Sequence, residues 1–90
     1  MSEGELNELV EEMRDDYQIP PYHPDSELKN YAKEGEMHLG KLNSGCSITE
    51  DLLYRSLLKN YIYYAFYHKT SEFFENYGSI ILTWQMETEV

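Results

Sequence analysis

The stretch from Thr49 to Trp84, TEDLLYRSLLKNYIYYAFYHKTSEFFENYGSIILTW, contains no proline, and its first glycine is Gly78. Thr49 followed by Glu50 and Asp51 reads as a helix start, with a capping hydroxyl and two acids near the positive end of the dipole. A helix from about Glu50 to Asn76 would be roughly 40 Å long at about 1.5 Å rise per residue. A compact monomer of this size does not need such a rod. It is also apolar nearly all the way round: Leu52, Leu53, Leu57, Leu58, Tyr61, Ile62, Tyr64, Ala65, Phe66, Phe73 and Phe74 cannot share one stripe. A helix with so little polar face must be covered on several sides. The remaining chain is too short to do that alone, so the sequence predicts that this helix meets other copies of itself.

Two shorter helices precede it. Leu6, Leu9, Val10, Met13 and Tyr17 fall on one face of a helix over about 3–17. The other face is acidic, with Glu3, Glu5, Glu8, Glu11, Glu12, Asp15 and Asp16 against a lone Arg14. Such a charge run is ordinarily a solvated face. Pro20, Pro21 and Pro24 break the pattern, and Pro24 can open the next helix. That helix, over about 25–43, carries Leu28, Tyr31, Ala32, Gly35, Leu39 and Leu42 on its apolar stripe. Gly35 on the stripe either lets the long helix approach closely or is a plain destabilising glycine. Asn43-Ser44-Gly45 supplies the stop. At the other end, Gly78 predicts a kink. Residues 80–90 then form either a further helix or an extended tail, since Ile80, Ile81, Thr83 and Trp84 favour strands. An apolar segment at this place either closes the core or docks into a partner.

The expected fold is therefore all-α: a small bundle of two shorter N-terminal helices packed on one long helix, followed by a C-terminal helix or tail. Ninety residues make one domain (1–79) with residues 80–90 as an appended segment. Nine tyrosines suit surfaces that become interfaces, because each joins an apolar ring to a hydroxyl that wants a partner. A formal charge of −10, seventeen acids against seven bases, argues against holding nucleic-acid phosphates as the main activity. It suits a solvated surface, or one that repels DNA. The single Cys46 makes no internal disulfide. No signal peptide opens the chain, and the apolar run Tyr61–Tyr67 is far short of the about 20 residues of a membrane span. A soluble protein, intracellular where it is made, is expected.

Chemistry is hard to place on this chain. His23, His38 and His68 lie in separate segments without metal-binding spacing. Cys46 has no neighbouring base, and no phosphate loop, dinucleotide fingerprint or nucleophile elbow is present. The reading is non-enzymatic, with no catalytic residue, metal or cofactor. A base-stacking role for Tyr61, Tyr63, Tyr64 and Tyr67 is outweighed by helix packing.

One resemblance stands out. The run Leu58-Lys59-Asn60-Tyr61-Ile62-Tyr63-Tyr64-Ala65, then Phe73 and Glu75-Asn76-Tyr77, then Ile81-Leu82 and Gln85, resembles the C-terminal signature of tailed-phage head–tail connector proteins, also called adaptor or head-completion proteins. Asp51-Leu52-Leu53 opens the pattern, and the step from Tyr64-Ala65 to Asn76-Tyr77 matches without a gap. The N-terminal half agrees more loosely. The likeness covers most of the chain and rests on helix-packing positions.

The resemblance implies a small all-helical virion protein. It forms a ring, usually dodecameric, beneath the phage portal, extends the DNA channel and provides a platform for the downstream tail-completion or stopper protein. DNA passes through without specific binding. Leu53, Leu57, Tyr61, Tyr64, Ala65, Phe73, Asn76 and Tyr77 would set subunit and helix packing. Ile80, Ile81, Leu82, Trp84 and Met86 would dock on the portal, and Glu8, Glu11, Glu12 and Asp15 would form an acidic face toward lumen or solvent. The chain departs from the pattern at Tyr63 and near Phe66, where family members often carry a basic residue, and at Gly78. The competing reading is a small acidic inhibitor, a DNA mimic that occupies a nucleic-acid-binding protein through the acids of residues 3–16.

Overall fold

A computed structural model describes residues 1–20, 22–43 and 46–88, the last two as backbone only. The protein is all-α, four helices packed together, with no strand among the described residues. Helix α1 spans Glu3–Asp16. The Ser2 hydroxyl accepts from the Glu5 amide at 3.2 Å while the Glu5 carboxylate accepts from the Ser2 amide at 3.0 Å, a reciprocal cap. Leu6, Leu9, Val10 and Met13 are its buried face, as their spacing predicts. Arg14 is not a stray charge. Its guanidinium donates to the carbonyls of Pro20 and His23 and to Asp25, so it straps the connection that leads into α2.

Helix α2 spans Asp25–Leu42, with Pro24 as its N-cap and Asn43 as its C-cap. Ser44 and Gly45 of the expected stop lie outside the described residues. Leu28, Ala32, Gly35 and Leu39 are buried, whereas Leu42 is exposed. A Cβ placed on Gly35 would lie 2.7 Å from Tyr61 Cδ1 and 2.8 Å from Leu58 Cδ1. The glycine is thus the point of close approach between α2 and the following helix.

The predicted rod from 50 to 76 is two helices. Helix α3 runs Leu52–Phe66 and helix α4 runs Thr70–Thr88. Asp51, not Thr49, is the cap of α3, accepting from the Tyr54 amide at 3.0 Å. Thr49 sits in the preceding turn, its hydroxyl 2.8 Å from that of Ser47. The break falls at His68, which adopts the left-handed region at φ 58°. Its amide donates to Ala65 O at 2.9 Å, and the Lys69 amide donates to Tyr64 O at 2.8 Å. That pair of bonds satisfies the last carbonyls of α3 and ends it, as glycine usually does. Gly78 breaks nothing: it lies exposed inside α4.

This turn changes what covers α3. Helix α4 folds back and lays Phe73, Ile81 and Trp84 on it, while α1 and α2 pack on its other sides and Leu52 at its start stays exposed. Leu57, Leu58, Tyr61, Ile62 and Ala65 are all buried within one chain. The expectation that α3 needs other copies to cover it is corrected: a helix half as long, with a fourth helix beside it, finds its cover in the chain. Among the described residues no helix is long and apolar enough to cross a membrane.

Candidate assembly surfaces

Of the residues that carry the connector resemblance, Tyr61, Tyr64, Phe73, Asn76 and Tyr77 meet at the seam between α3 and α4, whereas Leu52, Glu75 and Leu82 are exposed and Lys59 turns to α1. Tyr61, Ala65 and Phe73 are buried, and the Tyr61 and Phe73 rings meet edge to face at 5.3 Å. The Tyr61 hydroxyl donates to Glu34 at 2.5 Å, so burial and then this carboxylate push its pKa up. Tyr64 contacts Phe73 and Tyr77, with centroids 5.9 and 5.8 Å apart. Exposed Asn76 donates to the Tyr64 hydroxyl at 3.3 Å. Tyr77 and Tyr17 both donate to Asn60 Oδ1, at 3.1 and 3.2 Å, which ties α4 to the end of α1 across α3. Leu57 is buried and Leu53 half-buried. These contacts lie within one chain.

The C-terminal segment is helix through Thr88, with residues 89–90 outside the described residues, and two of its expected docking residues are core. Trp84 is 1% exposed, stacks on Tyr54 at 5.5 Å and 9°, and donates its indole N–H to Asp51 Oδ2 at 2.9 Å. Asp51 therefore caps α3 with one oxygen and holds α4 with the other. Tyr54, pressed beneath the indole, has its hydroxyl pKa pushed up to about 12 by burial. Ile81 is likewise buried. Ile81 and Trp84 cannot reach a partner without opening the bundle, which corrects their assignment. Ile80, Leu82 and Met86 remain on the surface at 41%, 58% and 66% exposure.

The acidic face divides in the same way. Arg55 and Lys59, one turn apart on α3, face α1. Arg55 bonds Glu8 and Glu12, and Lys59 reaches Glu12 at 2.9 Å and Asp16 at 2.5 Å. The Arg55 hydrogen bond holds the Glu12 carboxyl below its usual value against the opposing effect of burial, and Lys59 helps. Glu11 and Asp15 stay exposed. Reading α1 alone hid this seam. The signal was the i, i+4 spacing shared by Glu8, Glu12 and Asp16 on one helix and by Arg55 and Lys59 on the other.

The histidines pack rather than cluster. His38 lies against Tyr61 and Phe74, and His23 against Phe66. Among the described residues no three His, Cys, Asp or Glu side chains come together as a metal site. Burial, then the nearby Asp51, raise the Cys46 thiol pKa and so disfavour the thiolate. Tyr63, Tyr64, Tyr67, Lys69 and Glu72 line an open depression of about 340 Å³. Tyr63 meets Tyr64 and Tyr67 edge to face and lies tilted against Tyr17. Comparisons with protein-family models, with curated proteins and with solved structures return no match.

Proposed function

We propose that the chain is a structural head–tail connector of a tailed bacteriophage, a subunit of a ring that sits under the portal, extends the DNA channel and receives the next tail protein. The observation that carries the reading is the α3–α4 seam. Tyr61, Tyr64, Phe73, Asn76 and Tyr77, all positions of the resemblance, meet there in one packing unit with Asn76 outermost, and Ala65 is buried on α3. Net charge supports it too, since a wall at −10 per subunit repels phosphates and lets DNA slide. Exposed Ile80, Leu82 and Met86 remain as apolar contacts for the portal or a neighbouring subunit. The competing DNA-mimic reading loses support, because Glu8, Glu12 and Asp16 are engaged by Arg55 and Lys59.

The test is the mass of the purified protein, alone and mixed with the portal protein encoded beside it. A ring is expected in at least one sample. A monomer in both would remove the connector reading.

A further inference from the structure

The charges of this protein are not evenly spent. Of its seven bases, Arg14, Lys29, Arg55 and Lys59 are paired within the chain, and exposed Lys69 lies just before α4, lining the same depression as Glu72. Lys33 and Lys41 are exposed, carry no ion pair among the described residues, and lie on α2 on either side of Met37, which is 50% exposed. The spacing 33, 37, 41 puts all three on the side of α2 away from its buried stripe, together with Asn30. Glu34 borders this face, but its carboxylate is taken by the Tyr61 hydroxyl. A chain at −10 thus presents one helix face with two unused cations, an exposed methionine and no acid on its midline.

Helix α4 presents the opposite. Its outward side carries Glu72, Glu75, Ser79, Leu82 and Met86, all exposed at helical spacing, and α4 contains no base. Both helices bury their inner faces on α3, so these two surfaces look away from the centre of the subunit.

The geometry points to a head-to-tail contact between copies of this chain, in which the outward face of α2 packs antiparallel on the outward face of α4 of the next copy. Lys41 meets Glu72 and Glu75, Met37 crosses Ser79 against Leu82, and the aliphatic stem of Lys33 covers Met86. Charge favours this pairing over α2 packed on itself, which would set lysine against lysine, whereas α4 offers α2 two glutamates and no base. A contact between two different faces of the same chain closes into a ring when its rotation permits. This inference rests on the connector reading and names the interface that reading lacks.

Two full-length variants test it by mass in solution and on the portal, with helicity and melting curves to check that each is folded. Lys33→Glu with Lys41→Glu reverses α2, and Glu72→Lys with Glu75→Lys reverses α4. Each variant alone is expected to lose the ring and run at monomer mass. Their equimolar mixture is expected to regain it, because every α2–α4 contact between unlike variants is again oppositely charged. A ring from either variant alone, or a mixture that stays monomeric, overturns the interface while a wild-type ring keeps the connector reading. A wild type that is monomeric in every sample overturns both.

Discussion

Two seams hold helices onto α3, and they do so by opposite means. Against α1 lies a charged seam in which Arg55 and Lys59 share Glu8, Glu12 and Asp16, with Glu8 and Asp16 still 58% and 49% exposed. Against α4 lies an aromatic seam in which Phe73 and Trp84 are 0% and 1% exposed. Exposed ion pairs contribute about 0–1 kcal/mol each, because water and salt screen them and ordering long side chains costs entropy. Removing a buried aromatic costs about 3–5 kcal/mol through lost transfer energy and the cavity left behind. The α4 seam should therefore dominate stability, and the α1 seam should set how stability responds to pH and salt.

The largest expected effect breaks the aromatic side. Phe73→Ala opens a hole between Tyr61, Tyr64, Phe74 and Tyr77. Chemical denaturation should show a loss of about 3–5 kcal/mol. A loss below about 1 kcal/mol would mean that α4 does not pack where the structure puts it.

A second, smaller effect has the opposite sign and concerns the turn that makes the aromatic seam possible. His68 sits at φ 58° to end α3, a conformation that costs an ordinary residue roughly 1–2 kcal/mol and glycine almost nothing. His68→Gly should stabilise the protein by about 0.5–1 kcal/mol, read as a higher denaturation midpoint. In an unbroken helix from 50 to 76 the same change would destabilise by about 1 kcal/mol. The sign of the shift therefore decides between one rod and two helices.

That turn also marks the limit of what could be read from the residues. Helices α1 and α2 were legible because their apolar positions recur on one stripe and prolines separate them. Gly35 was legible because a glycine in a stripe invites close packing. The end of α3 was not, because Tyr67-His68-Lys69 has neither glycine nor proline, and the stop is made by two backbone bonds that leave no trace in composition. Once α3 and α4 were fused, an ordinary covered helix looked like a rod needing outside cover, and Trp84 looked like a free anchor. The role of Asp51 was hidden for a related reason: its partner, the Trp84 indole, is 33 residues away. Of the expected portal-docking positions, Ile80, Leu82 and Met86 lie on the surface. Lys33 and Lys41 lie opposite the core stripe of α2, on a face that apolar periodicity does not describe.

The smallest effect tests the charged seam. In the folded protein the Arg55 bond keeps Glu12 ionised below its ordinary value of 4.5. As pH falls, the unfolded chain takes up the proton first, so acidification favours unfolding. The contribution of this contact is fully present above about pH 4.5 and is lost as pH drops through the lower folded value. Glu12→Gln should cost less than about 1 kcal/mol at neutral pH and should flatten the fall in stability below pH 4.5. High salt should shrink the difference between the two proteins, whereas the Phe73→Ala deficit should persist, because screening acts on charges and leaves a cavity unfilled. If salt or acid erased the Phe73→Ala deficit instead, the division of labour between the two seams would be wrong.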